Sequence, residues 1–238
     1  MKEKILGIIP ARGGSKGIPG KNIRKLAGHP LLEYTVNAAK ASKIIDRLIL
    51  STDSEEIADV GRILGIEVPF IRPGELAKDD TPMVPVLEHA VASLEQLGWS
   101  PDIVVLLQPT APLRKGQHII DAVTMLRTSK CDSVASVVEV PRHYSPDYVM
   151  RIEDGKLVNF LAEGYNFTRR QEARPAYSRD GTVYVVRRDV IVNTHSLYGK
   201  DCRPLIIPNN ESINIDTIED WESAEKLLLD MRKNENCS

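Results

Sequence analysis

Short apolar runs alternate with longer segments of helical periodicity along most of this 238-residue chain. The runs are rich in β-branched residues, which is typical of strands buried on both faces of a sheet. They cover residues 5–9, 48–50, 103–107 and 134–138. Between them, apolar residues recur at helical spacing on one face, as in residues 87–94. This alternation predicts an α/β fold in three layers, with helices on both faces of a mostly parallel sheet.

The rhythm changes between residues 139 and 174, although the length of the chain fits a single domain over residues 1–238. This stretch contains prolines, a hairpin signal at residues 153–155 and a charged run. It therefore predicts an insertion into the sheet rather than another unit of strand and helix. After it, residues 182–186 resume the strand pattern, and a helical pattern closes the chain.

The composition is that of an ordinary globular protein, with 42% hydrophobic and 27% charged residues. Aromatic residues make up only 5%, which argues against a base-stacking surface for nucleic acid. No apolar stretch is long enough for a signal-peptide core or a membrane helix, so we expect a cytoplasmic protein without a membrane partner. The cysteines and histidines show no spacing typical of a metal site, so structural thiols and scattered histidines are expected.

A glycine-rich basic loop follows the first apolar run, within the sequence IIPARGGSKGIPGKN at residues 8–22. Its glycines allow the backbone to approach a ligand closely, and its cations can neutralise an anion. Its spacing matches neither the Walker pattern nor the dinucleotide fingerprint. From Arg12 to Lys25 there are five basic residues and no acidic one, in a chain with a net charge of -2. This asymmetry favours a polyphosphate ligand over the alternative, a solvated connection between strand and helix.

Two further loops follow predicted strands. Residues 51–53 come after the second apolar run, and residues 108–110 come after the third. Ligands of open parallel sheets bind outside the carboxyl ends of the strands, so the three loops are expected to converge on one crevice. Within it, Asp53 is predicted to cap a helix that begins near Glu55, in competition with neighbouring serines, or to support other residues, rather than to act in catalysis.

Six separated blocks, in the same order, resemble the CMP-sialic acid synthetases, also called acylneuraminate cytidylyltransferases. They are ARGGSKGIPGKN at 11–22, STDS at 51–54, RPGELAKDDTP at 72–82, LLQPTAPLR at 106–114, RRQ at 169–171 and SINIDTIED at 212–220. The resemblance implies a Rossmann-like nucleotidyltransferase fold and a reaction between CTP and a sugar acid. It also implies a homodimer, in which residues 139–174 form a small dimerisation arm that reaches the neighbouring active site.

The resemblance assigns the nucleotide to the basic loop. Arg12 and Lys21 match positions that hold the triphosphate, Asn22 matches a residue that reads cytosine, and Arg72 matches one near the base. The nucleotide-binding residues implied in this way are Arg12, Gly13, Gly14, Ser15, Lys16, Lys21, Asn22 and Arg72. The alternative for Lys16 is a solvated loop lysine, and the alternative for Arg72 is a purely structural role in its loop.

Asn214 and Asp216 lie two residues apart in an extended stretch, which puts their oxygen-bearing side chains on one face. Such hard oxygen ligands suit Mg²⁺, which would bridge phosphate oxygens of the nucleotide. The resembled family has two aspartates here, so Asn214 removes one negative charge and we expect weaker metal binding. Asp216 completes the expected catalytic set with Arg12 and Lys21. The alternative is that Asp216 and Thr217 cap the final helix.

The sugar acid is assigned to two further residues. Gln108 matches a contact to the acceptor, and Arg170 matches an arginine near its carboxylate, a role that a planar guanidinium suits. The neighbouring Arg169 or Arg174 could serve the same carboxylate.

The chain departs from the resembled family on the acceptor side. Asp180 stands where asparagine is common, Ser178 stands where arginine is frequent, and no lysine matches the arm near Tyr148. These changes favour a nine-carbon acid other than N-acetylneuraminate, such as a deaminated or legionaminic acid. The alternatives are an enzyme for an eight-carbon acid (CMP-KDO type) or for pseudaminic acid, and a regulatory module that binds nucleotide without turnover.

Overall fold

The predicted α/β fold is confirmed by the computed structural model, which describes residues 2–15, 17–161 and 174–235. The strands in these ranges are β1 (Ile5–Pro10), β2 (Lys25–Leu26), β3 (His29–Pro30), β4 (Arg47–Ser51), β5 (Ile103–Leu106), β6 (Ser133–Glu139), β7 (Met150–Glu153), β8 (Lys156–Asn159), β9 (Tyr177–Arg187) and β10 (Cys202–Ile206). The α-helices there are α1 (Leu31–Ser42), α2 (Glu55–Ile63), α3 (Met83–Gln96), α4 (Gly116–Ser129), α5 (Arg188–Thr194) and α6 (Ile218–Glu235).

The central sheet has, within the described residues, the strand order β10-β6-β9-β5-β1-β4. β1 pairs in parallel with β4 and β5, and β10 pairs in parallel with β6. β9 is antiparallel to both of its neighbours, β5 and β6. The sheet is therefore mostly parallel, as predicted. The reversed direction of β9 cannot be read from the sequence, because a strand buried on both faces has the same apolar pattern in either direction.

Helices cover both faces of the sheet, which gives the predicted three layers. In β1, Ile5 and Ile9 face a core shared with α1, α2 and α4. Leu6 and Ile8 point to the opposite face and pack against α3 and α5. Successive side chains of a strand point to opposite faces, so a strand with helices on both sides needs a continuous apolar run.

A third apolar cluster supports the basic loop from behind. It joins Ile18 of the loop and Leu26 of β2 to Ile215 and to Trp221 and Leu228 of α6. The last helix therefore packs against both the basic loop and the segment that precedes it. Among the described residues, no helix combines the length and the apolar character that crossing a bilayer requires.

The inserted stretch contains the predicted hairpin. β7 and β8 pair antiparallel around Asp154 and Gly155, whose φ angles of 50° and 74° suit a tight two-residue turn. Ile152 and Leu157 are 76% and 66% exposed, although their side chains are apolar. The predicted charged run with Arg169 and Arg170 lies outside the described residues.

Candidate active site

A cleft of about 470 Å³ opens where the chain leaves β1 and β5. Most of the site residues predicted from the sequence line it, and they come from four separate parts of the chain. These residues are Arg12, Ser15, Lys21, Asn22, Arg72, Gln108, Asn214 and Asp216. The remaining lining residues are Pro10, Gly17, Met83, Pro109 and Thr110. The structure thus brings the basic loop, residues 108–110 and residues 214–216 together.

Asp53 holds the start of the basic loop. Its Oδ1 accepts a hydrogen bond from the backbone N–H of Gly13 at 2.9 Å. The N-cap of α2 is Ser54, whose hydroxyl accepts from the N–H of Ile57 at 3.4 Å. Of the two roles predicted for Asp53, the supporting role is therefore the one observed, and the capping role belongs to the next residue.

The basic loop lies directly against the segment that carries Asp216. A Cβ added to Gly17 would lie 2.7 Å from the backbone oxygen of Asp216, so only glycine fits there without a shift. Lys21 bridges the same two segments, because its Nζ donates to the carbonyl of Ile215 at 2.9 Å and lies 3.5 Å from Oδ1 of Asp216. The side chain of Lys21 is 15% exposed and that of Asp216 is 66% exposed. The pair thus offers a positive and a negative group side by side to the cleft.

The helix cap beside this segment does not use the Asp216 side chain. Thr217 Oγ1 accepts from the N–H of Asp220 at 3.3 Å, and Asp220 Oδ2 accepts from the N–H groups of Asp216 and Thr217 at 3.0 and 2.8 Å. These backbone hydrogen bonds lower the pKa of Asp220. The carboxylate of Asp216 instead accepts from Nδ2 of Asn214 at 2.6 Å. Capping by the side chain of Asp216 is therefore excluded, whereas capping by Thr217 is observed.

Arg12 forms an ion pair with Asp79, a residue of the loop that follows Arg72. Its backbone carbonyl accepts from Nδ2 of the buried Asn22 at 3.0 Å, which fixes the turn at both ends. Gly14 lies outside the main cleft, and with Arg12, Ser15 and residues 77–79 it borders an adjoining cavity of about 420 Å³. The guanidinium of Arg12 thus lies between the two cavities.

Arg72 lines the cleft, but its donors are used within the protein. It donates to the hydroxyl and the carbonyl of Ser51 and to the carbonyl of Leu76. Its own N–H donates to Thr52 at 2.7 Å. Burial lowers the pKa of Arg72 to about 10, and the carboxylate of Asp53 opposes that shift. These contacts match the structural role that the sequence leaves open for Arg72.

The side-chain oxygens of Gln108 and Asn214 both lie close to Gly181. Gly181 has a φ of 77°, and an added Cβ would lie 2.7 Å from Oε1 of Gln108 and 3.6 Å from Oδ1 of Asn214. The two loops are also joined through the backbone, because the N–H of Ile215 donates to the carbonyl of Thr110 at 2.9 Å. The predicted acceptor contact and the predicted metal ligand are therefore neighbours in space.

Three predicted residues lie outside the described part of the chain: Lys16, Arg169 and Arg170. Arg174, the third candidate for the acceptor carboxylate, is described. Its guanidinium and its backbone N–H both bind the carboxylate of Asp147, with Nη2 2.6 Å from Oδ1. Arg174 thus fastens the end of the inserted stretch to its beginning.

The sequence reasoning missed two charged residues, Asp79 and Arg114. Arg114 is buried behind the cleft and binds the carbonyl of Gln108. Both residues lie within blocks that resemble the family. Their charge, in a loop rich in proline and small residues, was the local feature that could have drawn attention to them. Asp79 pairs with Arg12, and Arg114 also binds Thr35 and Thr182, which are all far away along the chain, so no local pattern marks these contacts.

Several bacterial enzymes resemble the chain over nearly its whole length. It is 36% identical over 228 residues to the CMP-N,N'-diacetyllegionaminic acid synthase of Legionella pneumophila, covering 94% of this chain and 96% of that protein. It is 31% identical over 235 residues to the N-acylneuraminate cytidylyltransferase of Escherichia coli, covering 98% of this chain and 54% of that longer protein. It is 30% identical over 224 residues to the pseudaminic acid cytidylyltransferase of Campylobacter jejuni, covering 94% and 96% of the two chains.

The fold also has a solved counterpart. The CMP:2-keto-3-deoxy-manno-octonic acid synthetase complexed with CTP superimposes with a TM-score of 0.74, covering 96% of this chain and 99% of that one. Its sequence identity is 16%, so this likeness concerns the fold. The family model described as Cytidylyltransferase matches residues 6–232, which include every residue that lines the cleft. The chain is therefore a nucleotidyltransferase that belongs to the cytidylyltransferase family.

Proposed function

We propose that this enzyme transfers the CMP group of CTP to a nine-carbon 2-keto-3-deoxy sugar acid and releases pyrophosphate. The proposal rests on one observation: in a member of the cytidylyltransferase family, the cations of a glycine-rich loop line the same cleft as Asp216 and Gln108. The cations suit the triphosphate, and we assign Gln108 to the acceptor.

In this reaction the hydroxyl oxygen at the anomeric carbon of the acid attacks the α-phosphorus of CTP. The bond from that phosphorus to the bridging oxygen breaks, pyrophosphate leaves with the electron pair, and the hydroxyl proton is released. The protein positions both reactants and stabilises charge on the phosphates. Arg12 and Lys21 donate to phosphate oxygens, and Arg12 exchanges the carboxylate of Asp79 for the nucleotide.

The donor set beside Lys21 fits Mg²⁺, which we propose as the cofactor. Asp216 supplies an exposed carboxylate and Asn214 an amide oxygen, and both line the cleft. Mg²⁺ is commonly held by one or two protein oxygens together with water and substrate phosphates, so a larger protein cage is not required. When bound, the ion would neutralise charge on the phosphate oxygens.

The proposed acceptor class is supported by the relatives and by the sequence around β9. Legionaminic, neuraminic and pseudaminic acids, which appear in the names of the relatives, are all nine-carbon acids of this class. We propose an acid of the legionaminic or deaminated type, because the exposed Ser178 replaces an arginine expected for N-acetylneuraminate. Asp180 is buried and bonded internally, so it contributes to the site indirectly.

We also propose that the enzyme is a homodimer joined by the inserted stretch 139–174. An isolated two-stranded hairpin is marginally stable in water, yet β7 and β8 expose Ile152 and Leu157. A second copy would cover these side chains. Because Arg174 is bound to Asp147, we assign the acceptor carboxylate to Arg170 or Arg169. We place the reaction in the cytoplasm, where CTP is made.

The test is a panel of acceptors with CTP and Mg²⁺, followed by pyrophosphate release. The panel contains N-acetylneuraminic, deaminated neuraminic, legionaminic, pseudaminic and eight-carbon acids. A site that binds specific substituents rejects analogues that lack them, so we expect one nine-carbon acid to give the highest kcat/KM and UTP, ATP and GTP to fail. Preference for the eight-carbon acid would overturn the acceptor class. If the protein binds CTP but releases pyrophosphate with none of these acids, the proposed function would be overturned.

A further inference from the structure

Arg114 lies behind the cleft, with a side chain removed from solvent. Only 4% of the residue is exposed, and burial lowers its pKa to about 9. Its guanidinium donates to neutral oxygens on three separate parts of the chain. These are the carbonyl of Gln108 at 2.5 Å, the carbonyls of Gly181 and Thr182 in β9, and the hydroxyl of Thr35 in α1 at 2.7 Å. Arg114 thus holds the loop of Gln108 against β9.

Asp180 attaches a second segment, which begins at Ser212, to the same part of β9. Its carboxylate, in a residue that is 6% exposed, accepts from the N–H and the hydroxyl of Thr182 at 3.2 and 2.5 Å. It also accepts from the hydroxyl of Ser212 at 2.8 Å, at the start of the segment that leads to Asn214. Arg114 binds the same residue, because its Nε donates to the carbonyl of Thr182 while Asp180 accepts from the N–H and the hydroxyl of Thr182. The two charged groups therefore fasten two different segments to the same few residues of β9.

Gly181 lies between Asp180 and Thr182, and the side-chain oxygens of Gln108 and Asn214 are both close to it. We propose that Arg114 and Asp180 act as one pair of positioning residues, which sets the spacing between Gln108 on the acceptor side and Asn214 on the metal side. This role rests on the proposed function, because it matters to catalysis only if those two residues hold the acceptor and the metal.

The pair should behave as a unit. A buried charge is tolerated when its counter-charge and its hydrogen bonds are in place, and removal of one partner leaves the other uncompensated. Asp180→Asn keeps the shape of the side chain but removes the charge that acts on Arg114. We therefore expect the variant to loosen the segment of Gln108 as well as that of Ser212, although Asp180 has no hydrogen bond to Gln108. A residue that only supported its own turn would not have this distant effect.

The experiment compares Asp180→Asn, Arg114→Lys and the double variant with a matched control, Asp132→Asn. Asp132 also accepts backbone hydrogen bonds, from Lys200 at 2.7 Å and Asp201 at 3.1 Å, but it lies at the opposite end of the sheet. Three quantities are measured: kcat with the preferred acid, the affinity for CTP without metal, and hydrogen exchange of the backbone. A misplacement of about 1 Å can cost about a hundredfold in rate, so we expect kcat to fall about tenfold to a hundredfold in both single variants.

We further expect unchanged affinity for CTP without metal, and a double variant no slower than the slower single variant, because the two residues act together. Exchange should rise in residues 108–114 and 212–217 of Asp180→Asn but not in α2. Near-normal kcat in a folded Asp180→Asn, an equal loss in Asp132→Asn, or multiplying losses in the double variant would overturn the pairing. Hydrogen exchange decides the positioning role even if the wild-type enzyme releases no pyrophosphate, a result that would instead reject the proposed function.

Discussion

At the scale of single residues, Lys21 joins the two halves of the cleft. Its ammonium group binds the carbonyl of Ile215 and lies beside Asp216, while its backbone belongs to the basic loop. An incoming phosphate would therefore meet a cation that is already held in place. Preorganised donors of this kind stabilise charge without reorganisation during the reaction.

We expect Lys21→Ala and Arg12→Ala to lower pyrophosphate release at limiting CTP. Each change removes a charge-assisted hydrogen bond worth about 1.5–3 kcal/mol, which corresponds to about tenfold to a hundredfold in kcat/KM. The matched control is Lys25→Ala, an exposed cation of the same region outside the cleft, which should leave turnover unchanged. Normal rates in both cleft variants would show that the basic loop does not bind the triphosphate.

Asp216 and Asn214 should differ in their effect on metal dependence. A carboxylate neutralises Mg²⁺ and an amide does not, so Asp216→Ala should lower activity much more than Asn214→Ala. Asn214→Asp should lower the Mg²⁺ concentration needed for half-maximal rate, because it adds a charge beside Asp216. A Mg²⁺ titration of pyrophosphate release checks both expectations. An identical titration curve for all these variants would mean that the segment does not hold the metal.

The basic loop and Asp216 could be predicted because a few adjacent residues in the sequence already indicate their chemistry. The role of Asp53 was predicted only as one of two, since a carboxylate before a helix resembles a cap whether or not it bonds elsewhere. Arg114 and Asp79 could not be predicted, because the contacts that define them come from other segments. For Arg114 these partners include Thr35 and Thr182, which are brought near only by the folded sheet.

At the scale of elements, the sequence predicted the parallel strands and covering helices well, because burial on both faces demands continuous apolar runs. β10 escaped prediction. Its Cys202, Arg203 and Pro204 are exposed at the edge of the sheet, where little apolar surface is buried. Edge strands are defined by their neighbour more than by their own pattern, so β10 becomes visible only through its pairing with β6.

The start of α6 provides a prediction about pH. The pKa of Asp220 is lowered because its carboxylate accepts backbone hydrogen bonds from Thr217 and Asp216. A carboxylate with a depressed folded-state pKa stabilises the fold above its unfolded pKa, near pH 4, and loses that contribution as the pH falls through the folded value. The melting temperature of Asp220→Asn should therefore lie below that of the wild type by a constant amount between about pH 5 and 7, and the difference should shrink below about pH 4.

The matched variant for this cap is Thr217→Ala, which removes the hydroxyl that accepts from Asp220 and should cost about 1 kcal/mol of unfolding free energy. Thermal unfolding at several pH values measures both effects. The cap binds the backbone N–H of Asp216 but not its carboxylate, so Thr217→Ala should keep the wild-type Mg²⁺ dependence. A melting difference for Asp220→Asn that grows in acid would contradict the assigned sign.

At the scale of the whole molecule, the described residues that line the cleft come from the basic loop, from Arg72 and Met83, and from residues 108–110 and 214–216. The described residues around Gln108 include no arginine that reaches the cleft from the inserted stretch, and Arg174 is bound to Asp147. The stretch instead carries a hairpin with exposed apolar side chains. Both observations are explained together if the arm of one subunit covers its partner and delivers Arg170 to the site of the partner.

Complementation between two strongly impaired variants tests this arrangement. In the proposed arrangement, Lys21→Ala would remove a cation from the subunit's own site, and Arg170→Ala would remove an arginine from the site of the partner. A mixed dimer then contains one site with both defects and one site with neither. Random assembly makes about half of the dimers mixed, so about one quarter of the wild-type activity should return when the two variants are produced together.

The control pairs Lys21→Ala with Arg12→Ala, two changes within the same site, for which no mixed dimer has a complete site. Adding Ile152→Asp to both partners of the first pair should abolish the recovery, because a carboxylate on the exposed face of the hairpin opposes burial in an interface. Pyrophosphate release and sedimentation are measured on the same samples. Recovery in the control pair would show that activity returns for another reason. No recovery in the first pair, with dimers present, would place Arg170 in its own subunit's site, and an active monomer would reject the shared site altogether.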